Sequence, residues 1–390
     1  MKFLKNWKLL VFIIVLLAGV LRFVKLDSVP PSLYWDEVSQ GYNSYSILKT
    51  GYDEHQEFMP IARFQAFGDY KAPVYIYLDV PFIALFGKTA LAVRFPSALL
   101  GTATVLVAFF LVRELFYKSK NRDSLALLTS FLLAISPWHI QLSRVAYEGN
   151  VATFFTVLAV FLFFFSLRRN SWFIIVSAVS FTLAFYAFNA HRVFIPLLVI
   201  LAGLIYRENL LKLKKKVLLA GIVGVVLLTP YLLFFKSPES KLRFNEVNIF
   251  SDSFVVERSN EWIQNSDNPL TKIIYNRRVL YGLSYTQHYF DFFNPTFLFI
   301  SGDVNPRFSS RDVGQLYIWQ LPFVLIGLYA LTKKDRKTAV FIFGWFLLAP
   351  VAAATARETP HALRSETFLP VYEIFTALGL IFSYDLVRQY

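Results

Sequence analysis

Long apolar runs alternate with short polar segments along the whole chain. A bilayer core takes roughly 20 apolar residues to cross. Ten runs approach that length: 8–26, 93–112, 124–138, 151–167, 171–188, 193–206, 217–235, 316–332, 338–356 and 367–386. The third and sixth are short and draw on their flanks. The pattern predicts an all-α polytopic membrane protein of about ten transmembrane helices. Lys2, Lys5 and Lys8 precede the first run, as in a signal peptide. That run continues to Leu26 with no small-residue cleavage site after it, so it is read as an uncleaved span.

Composition agrees with the pattern. Apolar residues make up 56% of the 390 and charged residues only 17%, against about 25% charged in a soluble domain. The net charge of +13 does not imply nucleic acid, because the basic residues fall in short clusters between apolar runs. Those clusters are 2–8, Arg113 to Arg122, Arg168 and Arg169, Arg207 to Lys216, Lys333 to Lys337, and Arg388. Each precedes the first run or follows an even-numbered one. All can therefore be cytoplasmic at once, which predicts a plasma-membrane protein with both termini inside. The chain has no Cys, which excludes disulfides, thiolate catalysis and cysteine metal sites.

The runs divide the chain into an N-terminal module (1–235), an outer region (236–316) and C-terminal helices (317–390). The first outer segment, 27–92, is acidic as far as Lys71. Its apolar tail, 72–86, holds Pro73, Pro81 and Asp79 and reads as a helix lying in the interface rather than a span. Counting it as a span would place Arg113 to Arg122 outside. The second outer segment, 236–316, has Asn-Pro turns at 268, 294 and 305 and is long enough to pack over the membrane part. The third, 357–366, is short and polar.

Charged residues gather at the outer ends of the runs. Asp36 and Glu37 lie in Tyr34-Trp35-Asp36-Glu37 after the first span. On a helix they point about 100° apart, so one can face a cavity while the other pairs with a base or caps a backbone N–H; a solvated pair that merely ends the span is the plainer reading. Lys71, where the chain re-enters the interface, can meet a lipid phosphate or snorkel to headgroups. Arg144 and Glu148 are spaced i,i+4 and would share a helix face, as a plain ion pair or as part of a site. His361 and Arg364, spaced i,i+3, suit phosphate or anchor the last span, and His191-Arg192 can join the same surface. His55 and His288 read as loop residues. No metal-ligand cluster, P-loop or nucleophile-elbow motif is present.

These residues carry a resemblance. Trp35-Asp36-Glu37, Tyr70-Lys71-Ala72-Pro73, Val93-Arg94-Phe95-Pro96-Ser97-Ala98, Ser136-Pro137 with Ser143-Arg144 and Glu148, His361-Ala362-Leu363-Arg364, and the 297–303 stretch ending in Asp303 resemble the GT-C membrane glycosyltransferases. The similar branch holds the protein O-mannosyltransferases and the aminoarabinose transferases of lipid A. The first 170 residues match best. The resemblance implies a GT-C type helical bundle with interfacial helices in the first outer loop. It also implies a sugar donor on polyprenyl phosphate, with Asp36 as the catalytic acid position and Lys71 at the lipid phosphate. Glu148 matches a second outer acid. Lys71-Ala72-Pro73 stands where the O-mannosyltransferases carry His-Pro-Pro, and the lumenal sugar-binding domain of the eukaryotic enzymes is missing, so the acceptor is left open among lipid, glycan and protein.

The expected reaction is transfer to an acceptor hydroxyl in one inverting step on the extracytoplasmic face, with Asp36 as general base. Lys71, Arg144, His361 and Arg364 would bind the donor phosphate, Glu37 and Glu148 would support, and Tyr75 and Tyr77 would line the groove for the isoprenoid tail. No cofactor is expected, and the reaction is expected to be metal-independent. The competing class is a flippase or transporter of polyprenyl-linked sugar. Such a protein would need ionisable groups within the spans, which here look nearly free of charge.

Overall fold

The computed structural model describes residues 6–241, 247–266, 268 and 270–389. Lys2 and Lys5 of the first basic cluster, and Pro269 of the first Asn-Pro turn, lie outside them. Helix α1 (Trp7–Phe23) leads into α2 (Trp35–Thr50), a two-stranded hairpin of β1 (Phe64–Ala66) and β2 (Asp69–Lys71), and α3 (Pro73–Phe86). The bundle continues with α4 (Ala90–Leu115), α5 (Arg122–Ile135), α6 (Pro137–Ser143), α7 (Glu148–Arg168), α8 (Phe173–Ala187), α9 (His191–Ile205), α10 (Arg207–Lys212) and α11 (Lys214–Phe234). The second outer segment contains α12 (Ser253–Gln264) and α13 (Arg277–Asp291). The chain closes with α14 (Gln320–Thr332), α15 (Arg336–Leu348) and α16 (Val371–Val387).

Each of the ten apolar runs contains a helix. Their lengths differ from the expected spans, however. Among the described residues four helical stretches are long and apolar enough to cross a membrane: Ala90–Leu115, Glu148–Arg168, Lys214–Phe234 and Arg336–Thr355. A fifth is the pair α5 and α6, bent by 57° at Ser136. Pro137 restricts Ser136 to extended backbone and serves as the first residue of α6. The helices in the other runs are 13 to 17 residues long.

Packing follows the polarity of each face. Residues such as Val105, Phe109, Leu133, Trp138, Phe164 and Phe341 are buried in one continuous core that links α4, α5, α7 and α15. By contrast α11 buries only Ala220 and Tyr231, so its apolar surface is left for lipid.

Arg22, near the end of α1, is fully buried. Its guanidinium donates to the carbonyls of Leu133 (3.2 Å) and Ala134 (3.1 Å), and to Ser143 Oγ (3.1 Å), and meets His139 Nδ1 at 2.7 Å. The bend between α5 and α6 frees those carbonyls, and an apolar environment makes leaving them bare costly. The expectation of nearly charge-free spans therefore needs this correction: a buried cation near the end of the first span holds a helix break.

Candidate functional site

Local signals place the first outer segment. Tyr34 caps α2, and Glu37 three residues on accepts its backbone N–H at 3.2 Å, half of a capping box. Gly51 ends the helix with φ of 76°, a left-handed cap that glycine adopts without strain. The β1–β2 hairpin turns through Phe67 (φ 54°) and Gly68 (φ 75°), with Ala66 paired to Asp69 and Phe64 to Lys71. Positive φ at both turn residues matches the right-handed twist of the strands. The sequence pattern had not disclosed this hairpin. It delivers Lys71 to the start of α3, whose first position is Pro73.

Asp36 and Glu37 point different ways. The Asp36 carboxylate forms an ion pair with Lys71 Nζ, and both side chains keep some exposure. Glu37 turns inward and takes Arg94 Nε at 2.9 Å and Nη2 at 3.2 Å. It also accepts the Ala146 N–H at 3.2 Å. Arg94 spends its remaining donors on the carbonyls of Leu26 (3.2 Å), Pro30 (2.8 Å) and Ser32 (2.9 Å). This pair ties α2, α4 and the end of α1 together and has no capacity left for a ligand.

Glu148, the first residue of α7, lies against Lys71, Asp36, Gln40 and Asp69. Its Oε1 is buried without a hydrogen-bond partner. Burial pushes the Lys71 ammonium down, but Glu148 and Asp36 more than offset this and leave it above the ordinary lysine value. Arg192, at the start of α9, also faces Glu148 and Asp69. Its guanidinium sits 4.5 Å over the Tyr231 ring, and its Nε is buried without an acceptor. Three remote stretches thus bring two acids and Lys71 together, with Arg192 beside them.

Other predicted residues lie elsewhere. Arg144 and Glu148 do not share a helix face, because α6 ends at Ser143 and α7 begins only at Glu148. Arg144 instead donates to the carbonyls of Leu21 (2.9 Å), Val24 (2.8 Å) and Val29 (3.0 Å), among others, capping the end of α1. These bonds engage both terminal nitrogens of the guanidinium in holding α1. Tyr75 is fully buried with its hydroxyl on the Val93 carbonyl at 2.8 Å, so it cannot line a lipid groove. Tyr77 is half-buried, edge-on to Phe64, with its hydroxyl on the Pro60 carbonyl at 2.9 Å. It supports the hairpin from below.

His361 and Arg364 lie in a turn rather than a helix and gather around Asp303. His361 Nδ1 is 3.9 Å from that carboxylate, which also accepts the backbone N–H groups of Ala362 (2.7 Å) and Asn305 (2.8 Å). Burial pushes the Asp303 carboxyl up, against the pull of those bonds and of Arg364. His288 is on α13, not in a loop, and meets the Ala356 carbonyl at 2.9 Å.

A ladder of rings links the two clusters: His361 to Phe308 at 4.4 Å, Phe308 to Tyr147 at 5.4 Å, Tyr147 to Tyr34 at 5.7 Å. At its end Arg307 lies 4.4 Å over the Trp35 ring, beside Asp36. Sequence reasoning missed Arg307 and Gln40, since neither has a telling spacing. Among the described residues no group of three or more His, Asp or Glu is placed to hold a metal.

The comparisons with known proteins agree with this architecture. A family model for dolichyl-phosphate-mannose-protein mannosyltransferase matches residues 70–234. The solved structure of ArnT from Cupriavidus metallidurans, bound to undecaprenyl phosphate, superposes with a TM-score of 0.62 at 15% identity over 97% of this chain and 62% of that one. The oligosaccharyltransferase of Archaeoglobus fulgidus, tethered to an acceptor peptide, superposes with a TM-score of 0.60 at 15% identity over 100% of this chain and 51% of that one. The fold is that of the GT-C membrane glycosyltransferases. The chain spans between half and two thirds of the length of those two structures. No curated protein matches it.

Proposed function

We propose that this GT-C protein is a glycosyltransferase that takes a sugar from a polyprenyl-phosphate donor on the extracytoplasmic face. The observation that carries the reading is Asp36, partly exposed and paired with Lys71, next to Glu148. ArnT bound to undecaprenyl phosphate, and the archaeal oligosaccharyltransferase bound to dolichol-phosphate or tethered to an acceptor peptide, support the donor class and an acceptor that binds alongside.

The chemistry runs as one displacement. An acceptor hydroxyl attacks the anomeric carbon, the bond from that carbon to the phosphate oxygen breaks, and configuration inverts. The proton of the hydroxyl passes to Asp36, which must come within hydrogen-bond reach of it. Polyprenyl phosphate leaves as an anion and needs no general acid, unlike the alkoxide of glycoside hydrolysis. Lys71 and Arg192 stabilise its developing charge. Before donor arrives, Lys71 holds Asp36; a bound phosphate draws the ammonium away and frees the carboxylate. Glu148 orients Lys71 or the sugar. Glu37 holds Arg94 and the surrounding backbone in place, and the His361–Arg364 turn supports the ring ladder.

The deciding experiment uses the purified protein and a radiolabelled sugar on undecaprenyl phosphate. Asp36→Asn should slow transfer by about 10²- to 10⁴-fold while leaving donor binding intact. Transfer at the wild-type rate would exclude the base role. Movement of lipid-linked sugar across vesicles without release of undecaprenyl phosphate would favour the transporter instead.

A further inference from the structure

The second outer segment carries a surface that the site does not use. Helix α13 is two-faced. Its inner face is fastened by three side chains to the outer end of α15 and the turns after it. The Tyr289 hydroxyl donates to the Leu347 carbonyl at 2.8 Å, and Tyr285 to Val351 at 3.1 Å. His288 meets Ala356 at 2.9 Å. Leu347 lies in one of the four stretches able to cross a membrane, and its side chain is itself outward-facing. The anchors therefore set α13 at the level where that span leaves the hydrocarbon.

The opposite face is apolar and uncovered. Val279, Leu283 and Phe290 fall on one stripe, at i, i+4 and i+11, and are 41%, 62% and 62% exposed. The short turn of helix before it, Thr271–Ile274, adds Ile273 and Ile274, and Leu270 precedes it, all more than half exposed. Lys272, Arg277 and Arg278 are exposed at the N-terminal end of this element, and residues 270–290 contain no Asp or Glu. A basic helix with an apolar stripe lies in a membrane surface, with its ring and aliphatic side chains below the headgroups and its cations among them. Tyrosines at the same level fit the aromatic belt.

We infer that 270–290 is a membrane-surface element whose stripe enters the leaflet on the Asp36 side and whose Lys272, Arg277 and Arg278 bind anionic phospholipid headgroups. A protein partner would need charge complementary to these cations, and nothing on the chain supplies a shape for one. The bilayer is already at the required depth. Each such cation near an anionic surface adds its own increment of binding, so the preference for anionic lipid is graded.

The absence of cysteine in this chain makes the test direct. Full-length protein carrying Leu283→Cys, Phe290→Cys or Ser310→Cys is spin-labelled and reconstituted into vesicles of phosphatidylcholine, alone or mixed with phosphatidylglycerol. Collision with oxygen and with a water-soluble nickel chelate reports depth. Labels at 283 and 290 should favour oxygen and the label at 310 should favour nickel. Deeper immersion at 283 in the phosphatidylglycerol vesicles should vanish when Arg277→Gln and Arg278→Gln are combined with it. Nickel access at 283 and 290 equal to that at 310 would overturn the inference and point to a protein partner. Equal immersion in both vesicle types would overturn the lipid preference. If either labelled variant elutes aggregated, Val279→Cys tests the same stripe.

Discussion

Two ion pairs sit side by side on α2 and differ in almost every respect. Glu37 and Arg94 are shut away from solvent, and their donors and acceptors are spent partly on each other and partly on five backbone groups. Asp36 and Lys71 touch only at their tips, keep some exposure, and stand next to Glu148 with its unmatched oxygen. A charge in a saturated pair can hold segments together but cannot move a proton or take a ligand. A charge in an unsaturated pair can exchange its partner, which catalysis and phosphate binding require. The Arg144 latch on α1 belongs with the first kind and the Arg192 guanidinium with the second.

The largest effect expected is on turnover. Asp36→Asn should slow sugar transfer by about 10²- to 10⁴-fold, the range for a lost general base, with little change in the thermal unfolding midpoint. A comparable loss from Glu37→Gln at unchanged stability would erase the distinction between the neighbours. Arg94→Ala should do the converse. It strands a buried carboxylate, which costs about 3–5 kcal/mol, and denaturation in detergent should show it before any assay of activity. Lys71→Ala should weaken donor binding by roughly 10- to 100-fold, as for a lost charge-assisted hydrogen bond, read by titration with undecaprenyl phosphate. Arg144→Ala should cost about 1.5–3 kcal/mol in stability but leave that titration unchanged; weaker lipid binding in a folded variant would return Arg144 to the site. Smallest of all, chelation by EDTA should not alter the rate.

Much of the site was legible because charge near a bilayer is scarce. Asp36, Lys71 and Glu148 stood out as polar residues at the ends of apolar runs, and the structure brings these three together. The same logic failed for Arg144 and Tyr75. Their sequence spacing was compatible with a site, but the bend at Ser136 and the turn of Arg144 to Tyr147 redirected them toward backbone carbonyls. Arg307 was invisible because its role depends on a loop folding back over Trp35 from far along the chain.

Hydropathy determined that this is a helical membrane protein, since desolvating a backbone leaves few alternatives to helices. It could not tell Asp36 from Glu37, or an arginine with an unmatched donor from one that caps a helix. Those assignments depend on which donors and acceptors meet within about 3 Å. That contact geometry arises from packing between distant segments, and only the tertiary structure decided it.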